Sequence, residues 1–121
     1  IEQVDKVRPP YNISVLNCEA ALFALEHAGT FADQAQDLRA QRTRLQQALA
    51  RLPGVKSWPS DANMILVRVP DAGKVFEGLK ARGVLVKNVS KMHPLLANCL
   101  RLTVGTADEN TQMLAALEAS L

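Results

Sequence analysis

The sequence predicts an α+β fold, in which a small, largely antiparallel sheet carries helices packed on one face. Three observations predict it. Residues 99–106 alternate apolar and polar side chains with the two-residue period of a strand. Helical segments with recognisable caps intervene between short segments rich in β-branched residues. The 121 residues, 48% hydrophobic and 21% charged, suffice for one globular core.

The composition argues against several classes of partner. The net charge is +2, no basic run occurs, and one Trp and one Tyr offer few stacking surfaces, so no nucleic-acid partner is predicted. No apolar stretch approaches the roughly 20 residues that span a bilayer, and no signal-peptide pattern opens the chain. The sequence begins with Ile1 rather than Met, which suggests a piece of a longer protein or an expressed domain.

The first residues form a predicted linker. Residues 1–11 are polar and end in Arg8-Pro9-Pro10-Tyr11, where two successive prolines exclude a helix and favour an extended backbone. We therefore assign residues 1–12 to a linker and residues 13–121 to a single domain.

A helix opens the predicted domain. It runs from about Ser14 to His27, begins at a cap formed by Asn12 or Ser14, and ends at Ala28-Gly29. Its apolar side consists of Leu16, Ala20, Phe23 and Ala24.

The second predicted helix is the longest and covers about residues 31–52. Thr30 is its predicted cap, Asp33 lies in its first turn, and Pro53-Gly54 stops it. Its apolar stripe consists of Phe31, Ala35, Leu38, Leu45, Leu49 and Leu52. Its flanks carry four arginines, which we interpret as a solvated face rather than a nucleic-acid or membrane surface: Arg39, Arg42, Arg44 and Arg51.

Three strands are predicted in the second half of the chain, and an additional short strand near 55–58 is an option. The first of the three, Met64–Val69, is rich in β-branched and apolar residues. Val84–Lys87 forms the next strand, and a loop over 88–98 leads to the last strand, which contains Arg101.

Two further helices are predicted around these strands. The helix between the first and second of the three strands is capped by Asp71 and terminated by Gly83, so that this strand–helix–strand unit can provide a crossover. Thr106 and Glu109 form a capping box that begins the last helix.

The cysteines and histidines do not form a recognisable disulfide, metal-binding or catalytic pattern. Cys18 and Cys99 are far apart in apolar surroundings, so we interpret each as a buried free thiol rather than a disulfide partner or zinc ligand. His27 and His93 have no metal-ligand spacing, and no metal site is predicted. Because no phosphate-cradling glycine loop and no Ser/His/Asp arrangement occurs, the residues supply no complete catalytic set.

Arg101 is the most informative residue of the chain. By the two-residue period, Leu100, Leu102 and Val104 share one face of the strand, and Arg101 lies on the other. A planar guanidinium on a rigid strand is well suited to bind a carboxylate or phosphate. Taken alone, the same pattern also fits a solvated arginine or one paired with a neighbouring strand.

Four segments together resemble a known family. Their order and approximate spacing are similar to those in the C-terminal part of the histidinol-phosphate branch of the class I/II, fold type I aminotransferases, which use pyridoxal 5′-phosphate. The resemblance covers nearly all of the chain. The segments are Pro9-Pro10-Tyr11-Asn12 with Ser14, Ser60–Val67, Gly83–Lys87 and Cys99–Thr106.

The resemblance implies substrate-binding roles for three residues. The family arginine that matches Arg101 binds the acidic group of the substrate. Lys87 stands where the family often has Arg at a strand end near the substrate phosphate; a solvated strand-end cation is the alternative. Asn63 matches an Asn facing the active-site cleft, and a turn residue with local backbone hydrogen bonds is its alternative. Tyr11 and Asn12 fall at the domain junction, where a hinge role is expected.

The resemblance also implies what this chain lacks. The family lysine that forms the Schiff base with pyridoxal 5′-phosphate lies in a large domain upstream, and none of the six lysines here matches its motif. The 121-residue chain alone is therefore expected to be inactive and to hold no cofactor covalently. It would be the small domain of a cytoplasmic, homodimeric enzyme of histidine biosynthesis, closing over a small anionic substrate.

Two other classes of function stay open from the residues. A stand-alone regulatory domain would bind a small anion through Arg101 and Lys87, and such binding would weaken in Arg101→Ala. A protein-interaction module would dock a partner on an apolar surface. A separated enzyme domain would expose a similar surface, so association in solution does not distinguish these hypotheses.

Overall fold

The computed structural model describes residues 2–7 and 13–121, which fall into two compact units within residues 1–35 and 36–121. No helix in these described ranges is long and apolar enough to cross a membrane. The described elements follow in the order α1 (Glu2–Asp5), α2 (Val15–Glu26), α3 (Ala28–Leu49), β1 (Lys56–Ser57), β2 (Met64–Arg68), α4 (Ala72–Ala81), β3 (Lys87–Asn88), β4 (Cys99–Thr103) and α5 (Ala107–Glu118).

The first unit begins with a short helix where an extended linker was predicted. Glu2–Asp5 form one helical turn, so the predicted extended backbone was wrong for these residues, and the assignment of a linker stays a prediction. The Pro-Pro segment, Tyr11 and Asn12 lie outside the described residues. The predicted boundary between residues 12 and 13 therefore stays a prediction.

Helix α2 exposes its apolar side chains. Ser14 is its cap, as predicted, because its hydroxyl accepts the backbone N–H of Asn17 at 3.2 Å. None of the residues of α2 is buried, and Leu16 and Phe23 of the predicted apolar side are exposed. Cys18 is exposed as well, so the prediction that it is a buried thiol was wrong.

The junction between α2 and α3 differs from the prediction. Ala28, Gly29 and Thr30 belong to α3 and do not separate two helices. Only His27 interrupts the helical backbone, and the i→i−4 bonding continues across it from His27 to Phe23 and from Phe31 to His27. A glycine costs only about 1 kcal/mol in a helix, so it does not by itself force a stop.

The second unit is built on a four-stranded sheet in the order β1-β2-β4-β3. Every neighbouring pair is antiparallel, which confirms the predicted sheet. Because β2 and β3 both run antiparallel to β4, they run parallel to each other, and α4 makes the crossover between them past β4.

The third strand begins later than predicted. Val84–Lys87 has the composition of a strand, but only Lys87 and Asn88 join the ladder. The end of α4 explains the delay. Gly83 has a left-handed φ of 77°, its N–H bonds to the Lys80 carbonyl, and the Val84 N–H bonds to the Leu79 carbonyl. This Schellman motif holds Val84 against the helix and away from β4.

The core lies on one face of the sheet, as predicted. Alternate strand residues and one stripe from each of α3, α4 and α5 meet there, and each contributes side chains with almost no exposure. The largest of these fully buried side chains are Leu45, Leu49, Ile65, Leu79, Leu100, Leu102 and Leu117.

Close contact between α4 and α5 depends on a glycine. A Cβ added to Gly78 would lie 2.6 Å from the hydroxyl and 2.8 Å from the Cβ of Ser120. The buried Ser120 donates to the Ala116 carbonyl at 2.6 Å. Arg82 donates to the carbonyls of Gly78 and Ala119 and thereby joins the two helices at their carboxyl ends.

We predict that Gly78→Ala destabilises the protein by about 1–3 kcal/mol despite the better helix propensity of alanine, because Ser120 must move. Gly29→Ala is the matched control, since its new Cβ meets no atom within 4 Å and should be neutral or slightly stabilising. Urea unfolding of both variants measures the difference. Equal stability of the two would contradict the packing described for α4 and α5.

Candidate functional site

The face of the sheet opposite the core is positively charged. Each strand places one cation on it: Lys56 on β1, Arg68 on β2, Arg101 on β4 and Lys87 on β3. None of the four described strands contains an acidic residue. The core-forming helices α3, α4 and α5 pack on the other face, so we name this surface the open face.

Strand β4 directs Arg101 to the open face. Leu100 and Leu102 are fully buried in the core, and Arg101 between them is exposed. Since successive side chains of a strand point to opposite faces, burial of the two leucines leaves Arg101 no other direction. The predicted alternation of this strand is confirmed.

Lys87 lies directly opposite Arg101 on the neighbouring strand. The two residues are register partners in the β3–β4 ladder, and both are exposed. Directly opposed side chains have Cβ atoms about 5 Å apart, and like charges in such positions repel each other. Within residues 36–121, no side chain forms an ion pair or hydrogen bond with either cation.

The other two cations form a second opposed pair with a different environment. Lys56 and Arg68 are register partners, and both lie over the ring of Trp58, at 5.2 and 5.4 Å from its centroid. Arg68 also donates to the carbonyls of Leu95 at 2.7 Å and Ala97 at 3.1 Å. The chain itself therefore provides partners for the charges of this pair.

The contrast between the two pairs defines the candidate site. Arg101 offers a planar fork that binds two oxygens of one group, and Lys87 offers a compact charge beside it. Leu66 is the partner of Arg101 on the β2 side and is half-buried, so it gives the site an apolar border. The arrangement is suited to a phosphate or carboxylate on a small molecule.

Asn63 lies apart from the two cations. It precedes β2, and its backbone carbonyl accepts the N–H of Val104 at 2.8 Å. It is exposed and lies outside the strand, three residues before Leu66, which is the β2 partner of Arg101. The structure thus brings Arg101 and Lys87 together and leaves Asn63 at the end of the ladder, where its substrate-binding role stays a prediction.

One helix arginine is largely buried, which contradicts the prediction that it is solvated. The side chain of Arg42 is only 16% exposed, donates to the Ala62 carbonyl at 3.2 Å and lies 3.9 Å from an Asp61 carboxylate oxygen. It ties α3 to the loop that leads into β2, because both partners lie in that loop. The other three arginines are exposed, as expected for a solvated face.

The chain leaves β4 through a tight capping box. Thr106 accepts the N–H of Glu109, and the Glu109 carboxylate accepts the N–H of Thr106 at 2.8 Å, as the sequence predicts. The backbone N–H of Thr106 and then its hydroxyl lower the pKa of Glu109. A Cβ at Gly105 would lie 2.5 Å from this carboxylate, so the absence of a side chain there leaves room for Glu109 to fold back onto Thr106.

Sequence reasoning missed Asn110. This residue of α5 is 5% exposed, and its side-chain amide bonds both to the N–H and to the carbonyl of Gly105, each at 3.0 Å. A groove of about 300 Å³ opens beside it, where the chain before β3 diverges from β4. The only available signal was an asparagine among the apolar positions of the last helix, which has no preferred role there.

Metal ligation has no support in the part of the chain that the structure describes. No group of three or more His, Cys, Asp or Glu side chains there could hold an ion. His93 instead caps a short helical turn, because its Nδ1 accepts the Leu95 N–H at 3.1 Å. Cys99 is buried, as predicted.

Comparison with known proteins gives a consistent family. The family description "Aminotransferase class I and II" matches residues 1–117. A histidinol-phosphate aminotransferase from Polaromonas naphthalenivorans (strain CJ2) is 74% identical over 121 residues, and one from Paracidovorax citrulli (strain AAC00-1) is 69% identical over 122 residues. Each alignment covers 100% of this chain and 33% of the relative, so the chain spans a third of their length.

A solved structure has the same fold. The crystal structure of the histidinol-phosphate aminotransferase from Clostridium acetobutylicum superposes with a TM-score of 0.84 over 98% of this chain and 36% of that one, at 18% sequence identity. Because the sequence identity is low, this similarity shows a shared fold and nothing about function.

The capping box generates a pH-dependent prediction. Because the folded state lowers the pKa of Glu109, its contribution to stability is complete above the ordinary carboxyl pKa and disappears as the pH falls through the lowered value. Glu109→Gln should therefore lose stability relative to the parent at pH 7 and much less at pH 3. Urea unfolding at both values measures this, and Thr106→Ala should reduce the same pH dependence without abolishing it, because the backbone N–H of residue 106 still donates to the carboxylate. A Glu109→Gln deficit of equal size at both pH values would contradict the assignment.

Proposed function

The chain belongs to the aminotransferase class I and II family, and we propose that it is the C-terminal part of a histidinol-phosphate aminotransferase. The whole enzyme would convert histidinol phosphate and 2-oxoglutarate reversibly to imidazole acetol phosphate and glutamate, in histidine biosynthesis. The names of relatives with 74% and 69% identity support this substrate.

One observation carries the role of this chain in that reaction. Arg101 and Lys87 face each other across two strands, and no side chain within residues 36–121 offsets their charge. Their mutual repulsion is relieved when an anion lies between them, so the pair favours a bound phosphate or carboxylate over an empty site. We assign the phosphate of histidinol phosphate to this position.

The same pair can serve both halves of the reaction. Histidinol phosphate brings a phosphate, and 2-oxoglutarate or glutamate brings a carboxylate, so each can occupy the fork of Arg101 in turn. Binding the acidic end orients the opposite, amino-bearing end of the substrate. Closure of this domain over the substrate would also exclude water from the reacting centre.

Pyridoxal 5′-phosphate belongs to the proposal, and we propose that this chain does not supply its Schiff-base lysine. None of the six lysines lies in a sequence that resembles the family's Schiff-base motif. When bound, the cofactor supplies the electron sink for amino-group transfer. We propose that the other two thirds of the polypeptide hold it.

The proposal includes two partners of this chain. The first is the large domain of the same polypeptide. Apolar side chains of α2, among them Leu16 and Phe23, are exposed in this chain, which supports the proposal that another part of the protein covers them. The second is another copy of the complete enzyme in a homodimer. We expect the enzyme to work in the cytoplasm.

Replacing the fork of Arg101 tests the proposal in the full-length enzyme. Arg101→Ala should raise the KM for histidinol phosphate about 100-fold, because charge-assisted hydrogen bonds contribute ~3 kcal/mol. Arg101→Lys keeps the charge but loses the fork and should give about a tenfold increase. Lys87→Ala should also raise this KM about tenfold, and Lys87→Arg should raise it little or not at all. Steady-state kinetics with varied histidinol phosphate measure each value.

Two controls sharpen this test. Lys56→Ala removes a cation from the same face, but one that already lies over Trp58, and should leave KM unchanged. In the first half-reaction alone, followed as a single turnover without 2-oxoglutarate, histidinol lacks the phosphate and should be used by Arg101→Ala about as well as by the parent enzyme. A uniform loss with histidinol and histidinol phosphate in this half-reaction would show that Arg101 does not bind the phosphate.

A further inference from the structure

We propose that Asn110 is a positioning residue for the anion-binding strand. This inference rests on the proposed function, since it concerns how β4 presents Arg101. Asn110 is a helix residue whose side chain bonds to Gly105, two residues beyond the end of β4 and four residues beyond Arg101. Its role follows from what each edge of β4 is bonded to.

The peptide groups of β4 alternate between its two neighbours. Val104 donates its N–H to Asn63 on the β2 side, and Cys99 accepts a bond from Val89 on the β3 side. Because direction alternates along a strand, Arg101, Thr103 and Gly105 direct their peptide groups to the β3 side. That side is the exposed edge of this part of the ladder.

The β3 side of β4 lacks a neighbouring strand beyond Lys87. The ladder contains only the pairs Lys87–Arg101 and Asn88–Leu100. Continued register would place Leu85 opposite Thr103, but residues 84–86 are not in a strand and the groove of about 300 Å³ lies between them. The rung that joins the two cations is therefore the last rung of the ladder.

Asn110 takes the place of the missing strand. A side-chain amide has the same donor and acceptor as a peptide group, and Asn110 bonds both polar groups of Gly105 at 3.0 Å. The segment from Arg101 to Gly105 is thus fixed on this side at both ends, by Lys87 and by Asn110. Asn110 is itself held by burial and by a 3.5 Å contact with Gln41 of α3.

Without the two Asn110–Gly105 hydrogen bonds, the Lys87–Arg101 pair would be the frayed end of the β3–β4 ladder. The Gly105 N–H and carbonyl would turn to water in the groove. The β2 side of β4 would stay paired, but beyond the Lys87–Arg101 pair nothing would hold its β3 side, so the strand could twist slightly about its β2 ladder. Recognition by a bidentate fork needs the guanidinium within about 0.5 Å and 10–20° of its productive position. A small change in strand direction therefore weakens binding of the anion without removing any group that touches it.

The test uses the full-length holoenzyme with Asn110→Ala and Asn110→Asp. Asn110→Ala should raise the KM for histidinol phosphate about tenfold while kcat stays within about twofold, because only binding of the anion is impaired. Asn110→Asp still accepts the Gly105 N–H but cannot donate, so its KM should lie between those of the parent and Asn110→Ala. If Asn110→Ala does not fold, the KM of Asn110→Asp alone tests the positioning role.

Ser120→Ala is the matched control. Ser120 lies just beyond α5, is about as buried as Asn110 and bonds to Ala116 of that helix, so its loss should reduce stability and leave KM unchanged. Amide hydrogen exchange gives a second measurement that does not depend on activity. Exchange across residues 99–105 should accelerate in Asn110→Ala and not in Ser120→Ala.

The outcomes separate this inference from the proposed function. If Arg101→Ala raises KM and both Asn110 variants leave it unchanged, the positioning role is wrong and the proposed function stands. If Ser120→Ala raises KM as much as Asn110→Ala does, the effect is general destabilisation and the inference is overturned. If Arg101→Ala leaves KM unchanged, the proposed function fails and this inference with it.

Discussion

Strand β4 buries its even-numbered residues, and this burial directs every odd-numbered side chain along it to the opposite face. Leu100 and Leu102 have no exposed surface, and each contributes about 1.5–3 kcal/mol when buried. A slip of one residue would place both leucines in solvent and Arg101 in the core, at a cost that no compact state could offset. The hydrophobic packing of this strand therefore determines where the cation lies, and antiparallel pairing with β3 then places Lys87 beside it.

The open face shows two ways of accommodating a pair of like charges. Lys56 and Arg68 share the ring of Trp58, and backbone carbonyls accept from Arg68. Lys87 and Arg101 occupy the equivalent cross-strand relationship without such partners among residues 36–121. A stable fold can carry one unfavourable contact on an exposed face, because solvent screens it. Such a contact is useful where an anion is to be bound, since the repulsion disappears on binding.

Local chemistry made much of the fold predictable. The alternation of β4 and the caps formed by Ser14, Asp71 and Thr106 depend only on neighbouring residues, and all are confirmed. The errors have non-local causes. The start of β3 was misplaced because the Schellman bond of Val84 competes with the ladder. The juxtaposition of Lys87 and Arg101 depends on which strands become neighbours, and Asn110 acts through a contact between a helix and a strand edge. Neither is encoded in a short segment.

The central claim is that Arg101 and Lys87 bind the same anion. A double-mutant cycle in the full-length enzyme tests it most directly, with the dissociation constant for histidinol phosphate measured for Arg101→Ala, Lys87→Ala and the double variant. Two groups on one phosphate should be coupled by about 1 kcal/mol or more, whereas Lys56→Ala combined with Arg101→Ala should be additive. Additive losses for the Lys87 and Arg101 pair would mean that the two cations bind independently, and would contradict the account.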